Sequence, residues 1–312
     1  MNPRTRKPRT RKAKKLALST AVATALLVPA VLYPQFASGS PTDPARAATY
    51  KENTFEGPAA GGPYSLGEWA EDGWTAPWEL GMDERTLVDD TTAAHSGDKS
   101  LRVLYPEGGI GPEDSGAQAP FALDRAREYY LSMWVRFDED FSWGTSQYAG
   151  KTGLGLAGGK ACSGGQVCDG TNGFSSRFIW RRADGEAALY YYHMDHEDTY
   201  GDYVALEKNG SVIRWPKGEW VNVVQRVKVN SVTDGRANRD GEIEVFYNGE
   251  PAAEVTGLRF VTNGDLVDKA YFASFAGGAT AEFAPRNDSY VWYDDVKVST
   301  DPADICELTG CS

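Results

Sequence analysis

One segment, residues 174–194, holds an S-x-R pattern followed by three consecutive tyrosines. The planar guanidinium group of Arg177 matches the two oxygens of a carboxylate. Tyr190 and Tyr192 have an ordinary pKa near 10, so either could act as a base only where nearby positive charge lowers that pKa. Brought onto one surface, these groups could hold an anion and transfer a proton.

The same segment predicts a hairpin that puts these groups on one face. Asp184-Gly185 suits a two-residue type I′ turn, because both positions need a positive φ. Arg177 would then lie opposite Tyr192. Side chains alternate along a strand, so the polar ones share a face: Ser175, Arg177, Arg181, Tyr190 and Tyr192. Apolar ones share the other: Phe174, Phe178, Trp180, Leu189 and Tyr191.

Two alternatives bear on this hairpin. A three-residue turn would shift the register by one and mix polar with apolar side chains on both faces, so the two-residue turn is preferred. Cross-strand Tyr–Arg pairs also stabilise exposed sheets without any chemistry. The hairpin alone therefore leaves a structural and a functional interpretation equally open.

The elements around the hairpin predict an all-β fold. Strand patterns cover residues 100–105, 129–137, 221–229, 242–247, 271–275 and 290–298, with turn residues between them. No segment has a long helical period. Residues 138–173 form a long glycine-rich stretch, and a loop of that length is usually functional. The pattern indicates a sandwich of two antiparallel sheets.

The N-terminal residues have the layout of a secretory signal. A dense block of Arg and Lys precedes an apolar run, and Ala45-Arg46-Ala47 offers a small-residue cleavage site. We therefore expect a signal peptide over residues 1–47, a single domain over residues 48–312 and an extracellular location. An uncleaved membrane anchor is the second interpretation, because the apolar run is of borderline length for a bilayer.

The charge of the expected mature chain excludes some partners. Residues 1–47 hold nine of the 32 Lys and Arg but only one of the 44 Asp and Glu, so the rest carries 23 basic and 43 acidic side chains, a net charge of −20. Such a chain should repel nucleic acid and anionic membranes. An anionic substrate would need a locally basic cleft.

The four cysteines fall into two close pairs, Cys162 with Cys168 and Cys306 with Cys311. This spacing predicts two local disulfides in an oxidising compartment. Neither pair has CxxC spacing, which argues against zinc.

Several strings in order resemble polysaccharide lyase family fourteen, the alginate and polyglucuronate lyases. They are WVRFDEDFSW, GKTGLGLAGG, FSSRFIWRR, LYYYH, GEWVNVVQRVKVN, DGEIEVFYNGE, YFASFAGG and YVWYDDVKV, within residues 100–298. The resemblance implies a β-jelly-roll with a concave substrate cleft and β-elimination on uronate polymers. Its functional positions would be Lys151, Ser175, Arg177, Tyr190 and Tyr192.

β-Elimination assigns roles to these residues. Arg177 would neutralise the uronate carboxylate, because charge builds up there as the C5 proton leaves. Tyr190 or Tyr192 would be base or acid, and Lys151 could assist as a base if its pKa is lowered. The three adjacent tyrosines leave a one-residue slip open.

Other side chains are weaker candidates for contact with substrate: Gln118, Arg226, Lys228 and His196. Each of these residues could instead have an ordinary structural role. For Arg226 and Lys228, a solvated position at a sheet edge is the simpler interpretation. Trp69, Trp74 and Trp78 could stack on sugars or pack loops. No cofactor is required, although Glu56, Asp294 and Asp295 could join in a structural calcium site. We expect a monomer whose partner is an acidic polysaccharide.

Two further functions compete. A non-catalytic carbohydrate-binding protein on the same fold would retain polysaccharide without forming product. A glycoside hydrolase needs two carboxylates flanking the scissile bond, and no closely alternating acidic motif supports it.

Overall fold

A computed structural model describes residues 49–147 and 150–310. The expected signal peptide and the Cys306–Cys311 pairing involve residues outside these ranges. Within them, helices are short: α1 (Leu66–Glu71), α2 (Met82–Arg85), α3 (Gly111–Asp114), α4 (Cys306–Thr309) and two 3-10 turns, Ala281–Phe283 and Pro302–Asp304. No described helix is long and apolar enough to cross a membrane.

Eighteen strands account for most of the described fold. They are β1 (Tyr50–Asn53), β2 (Thr86–Asp89), β3 (Ser100–Tyr105), β4 (Ala117–Ala126), β5 (Glu128–Phe137), β6 (Leu154–Gly158), β7 (Phe174–Arg181), β8 (Glu186–Tyr192), β9 (Asp202–Ala205), β10 (Glu207–Lys208), β11 (Ser211–Val212), β12 (Trp220–Lys228), β13 (Val232–Thr233), β14 (Arg236–Ala237), β15 (Gly241–Tyr247), β16 (Glu250–Leu258), β17 (Val267–Ser274) and β18 (Ser289–Ser299).

Two antiparallel sheets form the expected jelly-roll sandwich. The eight-stranded sheet has the order β16-β15-β12-β5-β18-β3-β2, with β1 paired to β18. The six-stranded sheet has the order β4-β17-β6-β7-β8-β9. Residues of one face of each sheet form a common buried core, to which Met133, Phe178 and Phe272 belong. Polar contacts also join the sheets: Ser176 Oγ donates to Gln225 Oε1 over 2.9 Å.

The predicted strands are confirmed, with small shifts at their ends. Asn248 and Gly249 join β15 to β16, and both have positive φ, 48° and 76°. Other strands were not predicted, among them β2, β4, β9 and β16. β6 was also missed, and it lies inside the stretch expected to be a long loop. Its sequence, LGLAG, lacks the β-branched and aromatic residues that mark strands.

The hairpin of β7 and β8 has a different register from the predicted one. Arg181 pairs with Glu186 and Arg177 with Tyr190, so residues 182–185 form a four-residue connection. Arg181 and Glu186, which face each other directly in this register, form a buried ion pair of 2.5 Å. The error is two positions. Because side chains alternate with a period of two, each predicted face keeps its members.

Candidate active site

The outward face of the six-stranded sheet carries a row of aligned residues around Arg177. Tyr271 of β17 pairs with Gly155 of β6, and Arg177 of β7 pairs with Tyr190 of β8. Opposing residues in antiparallel strands share a face, so these side chains point away from the core. Gly155 lies next to Arg177, and a Cβ there would be 2.9 Å from Arg177 Cγ. The missing side chain thus leaves room for the arginine stem.

Arg177 is a buried cation surrounded by phenol rings. It is only 5% exposed, and its guanidinium carbon lies 5.7, 6.0 and 5.9 Å from the ring centres of Tyr190, Tyr192 and Tyr271. Its Nε has no hydrogen-bond partner, and no described carboxylate forms an ion pair with it. Burial lowers its pKa from the ordinary value. A buried charge without a partner is costly, so this group is suited to receive an anion.

Lys151 lies beside this arginine. Its backbone bonds to that of Phe275 in both directions, at 2.9 and 3.0 Å, and it also bridges to Ile179. Its ammonium lies 6.0 Å from the Tyr190 ring centre. Burial and the nearby charge of Arg177 lower the pKa of Lys151 to about 7. A lysine of this kind can take up a proton near neutral pH.

Tyr190 and Tyr192 differ in exposure. Their hydroxyls are 2.9 Å apart. Tyr192 is fully buried and accepts the backbone N–H of Gly165. Tyr190 is half-buried and accepts the backbone N–H of Gly201. Either hydroxyl can donate to the other, and that of the half-buried Tyr190 can also donate to a group on the outward face.

Burial, followed by the bond to Tyr192, raises the pKa of Tyr190, although Arg177 opposes the shift. The sequence argument asked for a tyrosine with a lowered pKa, and this environment gives the reverse. Tyr190 therefore stays protonated near neutral pH and is suited to donate a proton.

Tyr271 was not singled out from the sequence. Gln118 donates from Nε2 to the Tyr271 hydroxyl over 2.8 Å. The phenolic proton of Tyr271 is therefore left for another acceptor. Burial raises the pKa of Tyr271. Gln118 was expected to contact substrate directly. In the structure it bonds to Tyr271, whose ring lies beside Arg177.

The predicted disulfide between Cys162 and Cys168 is present, and its loop lies against the buried tyrosine. Gly165 within this loop donates to Tyr192. Ser175 was expected to bind substrate, but it is fully buried and donates to the Cys162 carbonyl over 2.8 Å. Its hydroxyl therefore holds the loop in place.

Comparisons with known proteins agree with this geometry. The family profile Polysaccharide lyase 14 matches residues 93–296. The chain belongs to the polysaccharide lyase 14 family. It is accordingly a polysaccharide lyase. A comparison with curated protein sequences gives no significant match.

Several alginate lyases of known structure share the fold of this lyase. Alginate lyase Aly36B is 26% identical with a TM-score of 0.66, over 80% of this chain and 96% of its own. Variants of Aly36B have been solved with an alginate trisaccharide and tetrasaccharide. The PL-14 alginate lyase of Aplysia kurodai is 23% identical with a TM-score of 0.55, over 73% and 100% of the two chains. Alginate lyase vAL-1 from Chlorella virus is 16% identical with a TM-score of 0.59, over 78% and 100%.

Two cations expected near the substrate lie elsewhere in the lyase. Arg226 and Lys228 belong to β12 of the eight-stranded sheet. Arg226 is ion-paired with acids of the neighbouring strands, which are Glu128, Glu242 and Glu244, and Lys228 is paired with Glu242. Their position on the other sheet follows from long-range strand order, which the local alternation could not supply.

Other candidates are distributed between the site and the core. His196 lies against the Tyr192 ring, with centres 5.5 Å apart, and its Nε2 has no hydrogen-bond partner. Trp69 and Trp74 are buried in the core. Trp78 is exposed and lies beside Tyr271, with ring centres 6.4 Å apart.

The suggested calcium ligands do not fit such a site. Glu56 Oε1 accepts two backbone N–H groups. Asp294 accepts three, from His95, Ser96 and Asp295. Across residues 49–147 and 150–310, no three His, Cys, Asp or Glu side chains are grouped so that they could hold a metal ion. These carboxylates instead bind backbone donors.

Proposed function

We propose that this lyase cleaves a uronate-containing polysaccharide by β-elimination outside the cell. The observation that carries the proposal is the grouping of a buried Arg177, which pairs with no carboxylate of the described residues, with Lys151 and Tyr190 on one face. Arg177 would receive the uronate carboxylate and stabilise the negative charge that develops there. Tyr271 would add a hydrogen bond to the same carboxylate.

The proton transfers follow from the two pKa shifts. The neutral amine of Lys151 takes the C5 proton, and the released electron pair forms the C4–C5 double bond. The C4–O4 bond breaks, and the leaving oxygen takes the Tyr190 proton. Tyr192 takes no part in bond making; it orients Tyr190 through the hydroxyl contact of 2.9 Å. This sequence balances without a metal or redox cofactor.

The substrate class and the location rest on different observations. A carboxylate-bearing polymer suits the cationic centre of an otherwise acidic chain, and Aly36B, a 26% identical relative, is an alginate lyase. Export is supported by the basic, apolar and small-residue order of residues 1–47. The Cys162–Cys168 disulfide suits an oxidising compartment.

A product assay tests the proposal. Purified protein would be incubated with alginate, with polyglucuronate and with a neutral glucan as control. We expect ultraviolet absorbance of an unsaturated uronate from at least one acidic polymer and none from the glucan. Retention of an acidic polymer without any unsaturated product would indicate the non-catalytic binding function instead. New reducing ends without ultraviolet absorbance would indicate hydrolysis.

A further inference from the structure

An exposed aromatic ring extends the row of site residues to the edge of the sheet. Tyr203 of β9 pairs with Tyr190, which itself pairs with Arg177. Tyr203 therefore shares the outward face with the reaction centre and lies two strands from Arg177, about 10 Å across the sheet. It remains 46% exposed, whereas Arg177, Tyr192 and Tyr271 are almost completely buried.

A second arginine holds this ring in place. The guanidinium carbon of Arg181 lies 3.6 Å from the centre of the Tyr203 ring, a close cation–π contact. Ala188 lies between Glu186 and Tyr190 on the same face, and its methyl group is fully buried. A small residue there leaves space for the two long side chains to meet above it.

Arg181 already has a carboxylate partner. Its Nη1 bonds to Glu186 Oε1 at 2.5 Å, and both side chains are less than 10% exposed. Arg182 pairs with the other oxygen of Glu186 at 3.1 Å. Arg181 thus differs from Arg177, for which the described residues provide no carboxylate partner. Its contact with the Tyr203 ring suits it to position that ring.

We infer that Tyr203, positioned by Arg181, is a stacking platform for a sugar ring of the same polymer, next to the unit that reacts. Aromatic rings bind the apolar face of a pyranose while their polar edge stays in water. The polymer would then run across the strands, along the row from Tyr271 to Tyr203. This inference rests on the proposed function only for the identity of the polymer. The existence of the platform does not depend on the proposed reaction.

The expected signature is a change in binding without a change in chemistry. For Tyr203→Ala we expect KM for alginate or polyglucuronate to rise about tenfold, with kcat within about twofold of wild type. Tyr203→Phe and Tyr203→Trp keep a ring and should restore KM to within about threefold. Tyr50→Ala is the matched control, because Tyr50 is 43% exposed but lies on β1 of the other sheet.

A binding measurement separates this inference from the proposed reaction. Each variant would be made in a Lys151→Ala background and run in native gels containing alginate, polyglucuronate or no polymer. Tyr203→Ala should abolish most of the retardation by the polymer, and Tyr50→Ala should not. If wild type forms no product yet is retarded, the reaction is wrong and the platform can still be tested.

Three results would overturn the platform. The first is a Tyr203→Ala variant that matches Tyr50→Ala in both KM and retardation. The second is a loss of kcat at unchanged KM, which would place Tyr203 in the chemical step. The third is a wild-type protein that no acidic polymer retards. Thermal midpoints of all variants, measured alongside, distinguish a local loss of binding from unfolding.

Discussion

Arg177 and Tyr190 lie directly opposite each other on adjacent strands, with the guanidinium carbon 5.7 Å from the phenol ring centre. The guanidinium of Arg177 is buried, whereas the phenol of Tyr190 is half-buried. Arg177 can therefore hold a negative charge while Tyr190 approaches that charge from the exposed side of the site. In the proposed reaction, a carboxylate bound to Arg177 would place the C4–O4 bond of the same sugar near the Tyr190 hydroxyl.

Two substitutions at Arg177 distinguish the contribution of its planar guanidinium geometry from that of its positive charge. Arg177→Lys should lower kcat/KM by about 10²-fold, because an ammonium cannot form two parallel bonds with a carboxylate. Arg177→Met should lower it by about 10³-fold. The thermal midpoint of Arg177→Met should not fall, since the variant removes a buried charge without a partner. A lysine variant with wild-type kcat/KM would contradict the carboxylate role.

The faces of the hairpin could be predicted from sequence, whereas its register could not. Arg181 and Glu186 form an ion pair of 2.5 Å and lie directly opposite each other, two residues away from the predicted pairing. An even shift preserves alternation, so Ser175, Arg177 and Tyr190 still share a face. The prediction was correct where it depended only on the period of the strand, and wrong where it depended on a particular ion pair.

Sequence patterns could not identify the site residues that come from strands distant in the chain. Tyr271 joins the site because β17 lies beside β6 in the six-stranded sheet, and strand order is a long-range property. Arg226 shows the converse, since its alternating basic strand belongs to the other sheet, which the local pattern could not indicate. β6 itself was missed because its two glycines, of which Gly155 leaves room for Arg177, weaken the strand signal.

The two tyrosines should respond differently to loss of the hydroxyl. Tyr190→Phe removes the proton donor and should lower kcat by about 10²–10⁴-fold. Tyr192→Phe removes only the bonds to Tyr190 and to the Gly165 N–H, so kcat should fall about 3–30-fold, the loss expected from one or two hydrogen bonds. Steady-state kinetics at saturating polymer would measure both. A larger loss for Tyr192→Phe would exchange the two roles.

Gly155 should be intolerant of a methyl group because of its contacts with β7. A Cβ at this position would lie 2.1 Å from the Ser176 carbonyl oxygen and 2.9 Å from Arg177 Cγ. We expect Gly155→Ala to lower the free energy of unfolding by about 1–3 kcal/mol and to displace the guanidinium. Its kcat/KM at a temperature where the variant is folded should fall at least about tenfold.

Gly62→Ala is the control for the Gly155 variant. A Cβ at Gly62 would approach only the Ala59 carbonyl oxygen, at 3.8 Å, so stability and kcat/KM should be unchanged. Urea unfolding and kinetics of both variants provide the comparison. Full activity of a folded Gly155→Ala variant would show that the arginine position tolerates movement.

Lys151 should set the lower limit of the pH range for activity. The base must be the neutral amine, and burial together with Arg177 lowers the pKa of Lys151 to about 7. The value of kcat/KM should therefore rise as the pH increases through about 7 and then level off. Tyr190, whose pKa is raised, should remain a proton donor throughout this range. A bell-shaped profile that declines below pH 9 would contradict its role.

Lys151→Arg separates a base from a mere cation. A guanidinium keeps the positive charge but cannot lose its proton, so kcat should fall by at least about 10²-fold, whereas a lysine that only binds a carboxylate would be replaced with little loss.

The pH dependence of stability gives an independent measure of the Lys151 pKa. Between about pH 7 and pH 10.5 the unfolded chain binds a proton on Lys151 that the folded lyase does not, so the free energy of unfolding should rise with pH in that window. Lys151→Met should abolish this dependence, and an unchanged slope in urea unfolding curves would show that the amine is protonated in the folded protein.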